Sequence, residues 1–376
     1  MSVSPFRLDV SDDVLTDLRT RIRRTRFTPA SATEPWKAGT DPAYLRSLLN
    51  YWADGFDWHK AQDDLNLLPH HLADVAGQRI HFIHVRAAGR PRLPLILTHG
   101  WPSSFVEMLP LVPLLTDPAR FGGDPDDAFD VVIPSLPGFL YSDLPAGRPM
   151  TRDVTADIWH TLMTEVLGYS AYGAFGGDIG AGVTGWLAAR YPESVTGIHL
   201  IHPSMPANVD DPPLSDTERA FLAALDAFDE RDRGYSEIMC TRPDTIAAAL
   251  QDSPAGLAAW LVDKYHDWCD GDLESRFDRD DLLTVFTLYW ATGTIGSSFR
   301  QYYDWTPGPA RPLVTVPVGV TMSAEPVYRD FPRSLAERSF SDIRQWRGPT
   351  KGGHFMPLEE PEMLATDLRT FFRPLR

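Results

Sequence analysis

Short runs of β-branched and aliphatic residues alternate with helical segments from Arg79 onward, and this alternation is the strongest constraint on the fold. Strands that alternate with helices predict a mostly parallel sheet covered by helices on both faces. The predicted strands are residues 80–85, 95–98, 131–133, 172–175, 195–201, 314–322 and 343–346, and a last helix covers about 360–372. We therefore expect an α/β fold.

Two stretches depart from this alternation. Residues 1–75 carry helical periodicity, with Ser11 as a helix cap and Leu15, Leu18 and Ile22 on one apolar face. We expect this stretch to be a helical extension wrapped on the core. Strand patterns also stop after Pro203, so residues 205–308 are predicted to form a helical lid with helices near 220–228, 245–250, 257–268 and 282–299. The core is then expected in two parts, residues 76–204 and 309–376.

Composition limits the partners. Acidic residues outnumber basic ones by 51 to 35, a formal net charge of −16, and such a surface repels phosphate backbones. We expect no nucleic-acid partner. The chain has no targeting pattern and no apolar run of about 18 residues, so we expect a cytoplasmic protein without a membrane anchor. Its two cysteines, Cys240 and Cys269, lack the spacing of a metal site. Nothing in the sequence indicates an oligomeric state.

The most specific local feature is the run Gly176-Gly177-Asp178-Ile179-Gly180, which follows a predicted strand and precedes a helix. Small residues at the first and last positions allow a strained turn that lifts the central side chain above the sheet. The carboxylate of Asp178 could then attack carbon and become an ester. The alternative is a glycine-rich turn in which Asp178 only caps the helix.

Two further motifs favour catalysis over that alternative. His99-Gly100-Trp101-Pro102 directly follows a strand, where the N–H groups of Trp101 and Ile179 could face a developing oxyanion. Gly352-Gly353-His354-Phe355 lies between the last strand and the last helix, the expected place of a general base. A single histidine there would more often be structural, but together with the turn at Asp178 it indicates a catalytic pair.

These motifs resemble those of the microsomal-type epoxide hydrolases over nearly the whole chain. The matching runs are the extension from Pro5 to Leu65, the motifs around Trp101, Asp178 and His354, Arg190-Tyr191-Pro192, the run from Asp252 to Trp260 and the run from Leu288 to Ile295. The resemblance implies an α/β-hydrolase core with a helical lid and an amino-terminal extension. It also implies that an Asp178 ester is hydrolysed by water activated by His354, giving a vicinal diol without a cofactor or metal.

The resemblance assigns two lid tyrosines, Tyr235 and Tyr302, as acids that receive the epoxide oxygen, with Tyr303 a neighbour easily mistaken for Tyr302. Without the resemblance, tyrosines in an aromatic-rich helical insert would be read as packing residues. The lid aromatics Trp260 and Trp290, together with Tyr303, are candidate substrate-binding residues. An aromatic-rich lid suggests a bulky epoxide that is apolar or aromatic.

The sequence leaves open which acidic residue orients His354. The family places it after the strand at 314–322, where one register selects Glu325 and another puts Tyr328 at that position, with Asp330 nearby. We expect Glu325. Asp210 or Asp211, after the preceding strand, are alternatives, because some proteins of this fold supply the acid from there.

Two other functions compete with epoxide hydrolysis. A haloalkane dehalogenase also uses an aspartate nucleophile, but such enzymes usually carry tryptophan where this chain has Ile179, and they lack the tyrosine pair. A catalytically weak binding protein would follow if the triad acid were absent. A serine esterase is excluded more firmly, because no Gly-x-Ser-x-Gly occurs at the turn.

Overall fold

A single nine-stranded sheet forms the centre of the protein. The structure is a computed structural model that describes residues 2–88, 92–145, 147–206, 212–305, 310–326, 328–348 and 351–376. The strands are β1 (Val3–Phe6), β2 (His70–Val75), β3 (Gln78–Val85), β4 (Leu93–Thr98), β5 (Phe129–Pro134), β6 (Tyr172–Gly176), β7 (Val195–Leu200), β8 (Val318–Thr321) and β9 (Ile343–Arg347).

The spatial order of the strands is β1-β2-β3-β5-β4-β6-β7-β8-β9. Strands β1 to β3 pair antiparallel, as do β3 and β5, and all pairs from β5 to β9 are parallel. The central strands β5 and β6 are buried along their whole length, which fits strands covered on both faces. The predicted α/β fold with a mostly parallel sheet is confirmed.

Helices cover the sheet and fill the segment between β7 and β8. They are α1 (Asp12–Arg23), α2 (Pro42–Asp54), α3 (Trp58–Leu65), α4 (Leu111–Thr116), α5 (Arg152–Thr161), α6 (Asp178–Arg190), α7 (Asp216–Asp232), α8 (Gly234–Thr241), α9 (Pro243–Asp252), α10 (Pro254–Trp268), α11 (Leu273–Arg276), α12 (Arg279–Thr292), α13 (Ile295–Ser298), α14 (Arg300–Tyr303), α15 (Arg333–Glu337), α16 (Met356–Glu359) and α17 (Pro361–Phe372). None of the helices described combines the length and apolar composition that a bilayer-spanning segment requires.

The extension contains two strands that the prediction of a helical extension missed. Strand β1 pairs with β2 and β2 pairs with β3, so the extension supplies one edge of the sheet. Strand β1 has only four residues and contains Pro5, which an edge strand tolerates. Strand β2 carries two histidines and an aspartate, so neither segment shows the apolar pattern by which a strand is predicted.

The lid consists of helices α7 to α14, as the predicted helical insertion requires. One predicted helix, residues 282–299, is wrong in length, because α12 ends at Thr292. Gly293 adopts a left-handed conformation (φ 67°) that stops the helix, and α13 begins at Ile295. The predicted strand 314–322 is likewise shorter, because Pro317 lacks the N–H that a ladder needs and β8 begins after it.

The extension packs on the lid through polar contacts that range from buried to exposed. The indole N–H of Trp52 donates to Thr287 Oγ1 at 2.9 Å, and the Thr40 hydroxyl donates to the Ala259 carbonyl at 2.6 Å. The hydroxyl of Tyr51 donates to Asp280 at 2.7 Å. Helices α2, α10 and α12 are thereby held in one body.

Candidate active site

The predicted strained turn lies between β6 and α6, and Asp178 lies at the tip of the turn. Asp178 has φ 50°, a left-handed conformation that non-glycine residues rarely adopt. Glycine is required on both sides. A Cβ on Gly176 would approach Gly180 within 2.3 Å, and a Cβ on Gly180 would approach the Thr98 carbonyl oxygen within 2.0 Å. The turn therefore exposes the Asp178 side chain, which keeps 24% of its surface accessible.

The segment after β4 supplies a hydrogen-bond donor to this carboxylate. The backbone N–H of Trp101 donates to Asp178 Oδ1 at 3.0 Å. Gly100 makes the approach possible, because a Cβ there would lie 2.5 Å from the Asp178 side chain. Ile179, the second predicted donor, is buried in the first turn of α6, where backbone N–H groups have no partner within the helix.

His354 lies between two carboxylates. Its Nε2 is 3.8 Å from Asp178 Oδ2, and its Nδ1 is 3.0 Å from Glu325 Oε2. The His354 backbone N–H donates to the carbonyl of Trp268 at 2.9 Å, which ties the loop after β9 to the end of α10. The Trp268 ring packs on the imidazole at 4.7 Å. The lid and the core therefore hold this imidazole together.

The charges of the three groups are strongly coupled. Burial alone would raise the pKa of Glu325, but the opposite charge of His354, with help from His202, lowers it to about 2. Burial alone would lower the pKa of His354, but Glu325 first and Asp178 second raise it to about 9. Glu325 is therefore a carboxylate at neutral pH, and His354 carries a proton while Asp178 remains charged.

The other candidate acids occupy different places. Asp330 is exposed and lines a groove with Phe221 and Phe228 of α7. The ring of Tyr328 packs on His202 at 4.7 Å. The alternatives Asp210 and Asp211 lie outside the residues that the structure describes. Among the candidates that the structure describes, Glu325 is the one that is hydrogen-bonded to His354.

The two predicted lid tyrosines meet above Trp101. The Tyr235 ring stacks on the Trp101 ring at 5.5 Å with an interplanar angle of 6°, and the Tyr302 ring contacts it edge-on at 5.8 Å. The two phenol rings are 6.1 Å apart. Burial first, and the charge of Asp178 among the further causes, raise the pKa of both phenols well above the usual value. Both are neutral proton donors at pH 7.

The predicted substrate-binding residues separate in the structure. Trp260 lines a cavity of about 1090 Å³ between the extension and the lid, and Tyr235 lines the same cavity. Trp290 instead lies under the guanidinium of Arg21, on the side of α12 that faces the extension. Tyr303 is 49% exposed, because it follows Tyr302 on a helix and projects in another direction. The structure does not bring Trp290 or Tyr303 to the group around Asp178.

Comparisons with known proteins show the family of this chain. Residues 3–108 match the family described as "Epoxide hydrolase N terminus", and residues 94–235 match the family described as "alpha/beta hydrolase fold". A putative epoxide hydrolase of Stigmatella aurantiaca is 40% identical over 382 residues, covering 100% of this chain and 86% of that protein. The chain belongs to the epoxide hydrolase family. Epoxide hydrolase 1 of Sus scrofa is 34% identical, covering 98% of this chain and 88% of that protein.

Solved structures of the epoxide hydrolase family have the same fold. Juvenile hormone epoxide hydrolase from the silkworm Bombyx mori superposes with a TM-score of 0.90 at 27% identity, covering 100% of this chain and 95% of that one. The epoxide hydrolase of Aspergillus niger gives a TM-score of 0.84 at 28% identity, covering 100% and 97% of the two chains. The predicted α/β-hydrolase fold is confirmed.

Two residues near the site of this epoxide hydrolase family member, Glu107 and His202, were absent from the sequence analysis, and Trp268 was considered only as one of the lid aromatics that could line the substrate pocket. Trp268 contacts His354 through its ring and its carbonyl. Glu107, in a short 3₁₀ turn after Trp101, is buried, which raises its pKa to about 7 although His354 opposes the shift. His202 follows β7 and lies 3.2 Å from Glu325. Glu107 lies five positions after Pro102, the end of the motif around Trp101, and could have been found there, whereas His202 carries no local signal.

Within the described part of the chain, one group of three side chains has possible metal-binding atoms that all lie within 4.8 Å of one another. This group is His202, Glu325 and His354. Glu325 Oε2 lies at hydrogen-bonding distance from a ring nitrogen of each histidine. Hydrogen bonds between a carboxylate and two imidazoles therefore account for this grouping.

Proposed function

We propose that this member of the epoxide hydrolase family converts an epoxide to a vicinal diol through an ester on Asp178. One observation carries the proposal: Asp178 has one oxygen held by the Trp101 N–H and its other oxygen turned toward His354. A carboxylate held in this way has one oxygen free to form a bond to carbon.

In the first step, Asp178 Oδ2 attacks an oxirane carbon and the C–O bond to the epoxide oxygen breaks. Tyr235 and Tyr302 face this oxygen, and one phenol transfers its proton to the forming alkoxide while the other donates a hydrogen bond. The product is a hydroxyalkyl ester of Asp178. The raised phenol pKa values support this role, because both phenols hold their protons until the alkoxide, a stronger base, forms.

In the second step, His354 removes a proton from water, and the water oxygen attacks the Asp178 carbonyl carbon. The oxyanion forms on Oδ1, where the Trp101 N–H and, in this proposal, the Ile179 N–H stabilise it. The ester C–O bond then breaks, the released diol oxygen takes up the proton that His354 removed from water, and the new Asp178 carboxyl group gives its own proton to His354. Glu325 stabilises the imidazolium of His354 while this proton is in transit.

The electrostatics of the site suggest how the two steps follow one another. The charge of Asp178 is one of the causes that raise the pKa of His354 to about 9. Esterification removes this charge, so the pKa of His354 falls and its proton can restore the phenol that protonated the alkoxide, which leaves His354 neutral when the base is needed. A proton on His354 before that moment does not keep a substrate from the carboxylate, because the Asp178 oxygen and the imidazole are 3.8 Å apart.

The walls around the tyrosines suggest the substrate class. The rings of Trp268 and Phe299 pack edge-on against Trp101 at 6.5 and 6.2 Å, and Trp101 is stacked with Tyr235. Aromatic walls favour a bulky epoxide with an apolar or aromatic substituent. The polar contacts come from the two tyrosine hydroxyls, at the position of the oxirane oxygen. Styrene oxide is a suitable probe.

A single turnover in heavy-oxygen water tests the proposal. With enzyme in excess over styrene oxide, the label should enter the Asp178 carboxylate, found by mass spectrometry of the peptide, and the first diol should be unlabelled. Label in the diol alone would show direct attack by water and contradict the ester route. Chloride release from a chloroalkane would instead support dehalogenation, and tight epoxide binding without diol would support a binding protein.

A further inference from the structure

A second histidine binds the carboxylate that orients His354. His202 follows β7 and is 5% exposed, and its Nε2 lies 3.2 Å from Glu325 Oε2. His354 Nδ1 lies 3.0 Å from the same oxygen. The two imidazole rings are stacked at 5.1 Å with an interplanar angle of 29°. One carboxylate oxygen is therefore shared by two imidazoles.

The surroundings of His202 show which of its two ring nitrogens carries a proton. Nε2 is hydrogen-bonded to the Ser323 hydroxyl at 2.9 Å and lies 3.2 Å from Glu325 Oε2, so this nitrogen carries a proton that both oxygens face. Nδ1 is buried and has no hydrogen-bond partner among the described residues. A proton on Nδ1 would leave a buried donor unsatisfied, which is costly, so Nε2 is the ring nitrogen that donates.

We propose that His202 is a positioning residue that acts on His354 through Glu325: by sharing the Glu325 oxygen, it weakens the hold of that carboxylate on the His354 proton. The inference rests on the proposed function, because it concerns the step in which His354 activates water. It predicts that His202 sets the pH range in which ester hydrolysis is fast.

The argument follows from competition between donors. A carboxylate oxygen that accepts two hydrogen bonds offers less negative charge to either donor, so the imidazolium of His354 is stabilised less than by Glu325 alone. The low pKa of Glu325, about 2, agrees with this, since both histidines contribute to it.

The other groups around the pair do not replace this effect. His354 also faces the carboxyl groups of Asp178 and Glu107, which both favour its protonated form. His202 faces the Ser323 hydroxyl and the Tyr328 ring, and neither carries a charge at neutral pH. Among the described neighbours of this pair, His202 is thus the donor that opposes protonation of His354 through Glu325.

The test compares His202→Leu, which removes the donor, with His202→Gln, which retains an N–H near the position of Nε2. The measurement is the decay rate of the Asp178 ester formed from styrene oxide in a single turnover, followed from pH 5 to 10. For His202→Leu we expect the acid limb to move up by about one pH unit, so that decay at pH 7 is about tenfold slower, with an unchanged plateau at high pH. His202→Gln should keep the wild-type profile.

A second variant keeps the inference testable if His202→Leu does not fold. Ser323→Ala removes the competing hydroxyl and leaves the Nε2 proton to Glu325, so its acid limb should move to lower pH. A decay rate reduced by the same factor at every pH, or a profile unchanged in both variants, would overturn the role of His202. Failure of the wild-type protein to form any ester is a different outcome, and it would overturn the proposed function together with this inference.

Discussion

The Nε2 atom of His354 lies 3.8 Å from the Oδ2 atom of Asp178, too far for a hydrogen bond, while its Nδ1 atom is hydrogen-bonded to Glu325. One side of the imidazole is therefore fixed, and the other side is free to contact a third molecule.

Replacing His354 with glutamine should trap the ester. Without the base, Asp178 can still attack an epoxide, but water is no longer activated, so a protein adduct of the substrate mass should accumulate. Intact-protein mass spectrometry after incubation with a panel of epoxides measures it and identifies the accepted class. The control is the double variant that also carries Asp178→Asn, which should give no adduct. An adduct in both proteins would place the nucleophile elsewhere.

Replacing Asp178 with asparagine should lower the pKa of His354 from about 9. The substitution removes a negative charge that favours the imidazolium and imitates the neutral ester state. NMR titration of the His354 ring measures the change, and the neutral form should then extend to lower pH by about one unit or more. A pKa equal to that of the unmodified protein would show that the Asp178 charge does not reach the imidazole.

The lid tyrosines should act on ring opening and not on ester hydrolysis. We expect Tyr235→Phe and Tyr302→Phe each to slow ester formation on the order of 10²-fold, because each removes a donor to the leaving oxygen. Rapid mixing resolves the two steps, and ester decay should stay near the rate of the unmodified protein. Tyr303→Phe is the matched control, since Tyr303 faces solvent and should leave both rates unchanged. Equal losses in both steps would argue for a structural role.

Glu325→Gln should slow ester decay by about 10²- to 10⁴-fold, because the imidazolium loses its carboxylate and the imidazole loses its fixed orientation. Asp330→Asn, five positions later on the same loop, should have little effect, since Asp330 is exposed. Steady-state diol formation with burst analysis distinguishes the two variants. The reverse order would assign the acid to Asp330.

Gly180→Ala should destabilise the fold. The new Cβ would meet the Thr98 carbonyl oxygen at 2.0 Å, so β4 and α6 would have to move apart at a cost of about 1–3 kcal/mol. Thermal unfolding should show a lower midpoint. Gly348→Ala is the control, because a Cβ there meets nothing within 4 Å. Equal midpoints for the two variants would show that the turn tolerates a side chain.

Local sequence was enough to single out Asp178 and His354, the two side chains that the structure brings within 3.8 Å of each other. Asp178 is bounded by glycines that a tight strand-to-helix turn requires, and His354 follows the last strand of a parallel sheet. In such a fold these positions meet at the carboxyl ends of strands, so chain order alone brings them together. The tyrosines had no such signal, and only family resemblance singled out Tyr235 and Tyr302.

The choice of acid that the sequence left open, and the residues that it missed or misplaced, have physical causes of the same kind. Which carboxylate reaches His354 depends on the path of an irregular loop, and nothing near Glu325 encodes its distance from a histidine 29 positions later. His202 is a single histidine after a strand, and its role depends on two loops meeting. Trp290 was predicted from aromatic content, which does not reveal the direction in which a helix side chain points.

The extension joins parts of the protein that are distant along the chain. Its strand β2 completes the sheet beside β3, while Trp52 of α2 is anchored to Thr287 in the lid. Truncating the chain ahead of β3 would remove β1 and β2, so β3 would become an unpaired edge strand. It would also expose apolar surface of the lid, and both changes promote aggregation. The extension therefore holds the lid and the sheet together. Catalysis under the lid is expected to rely on small side-chain adjustments, without a large movement of the helices above Asp178.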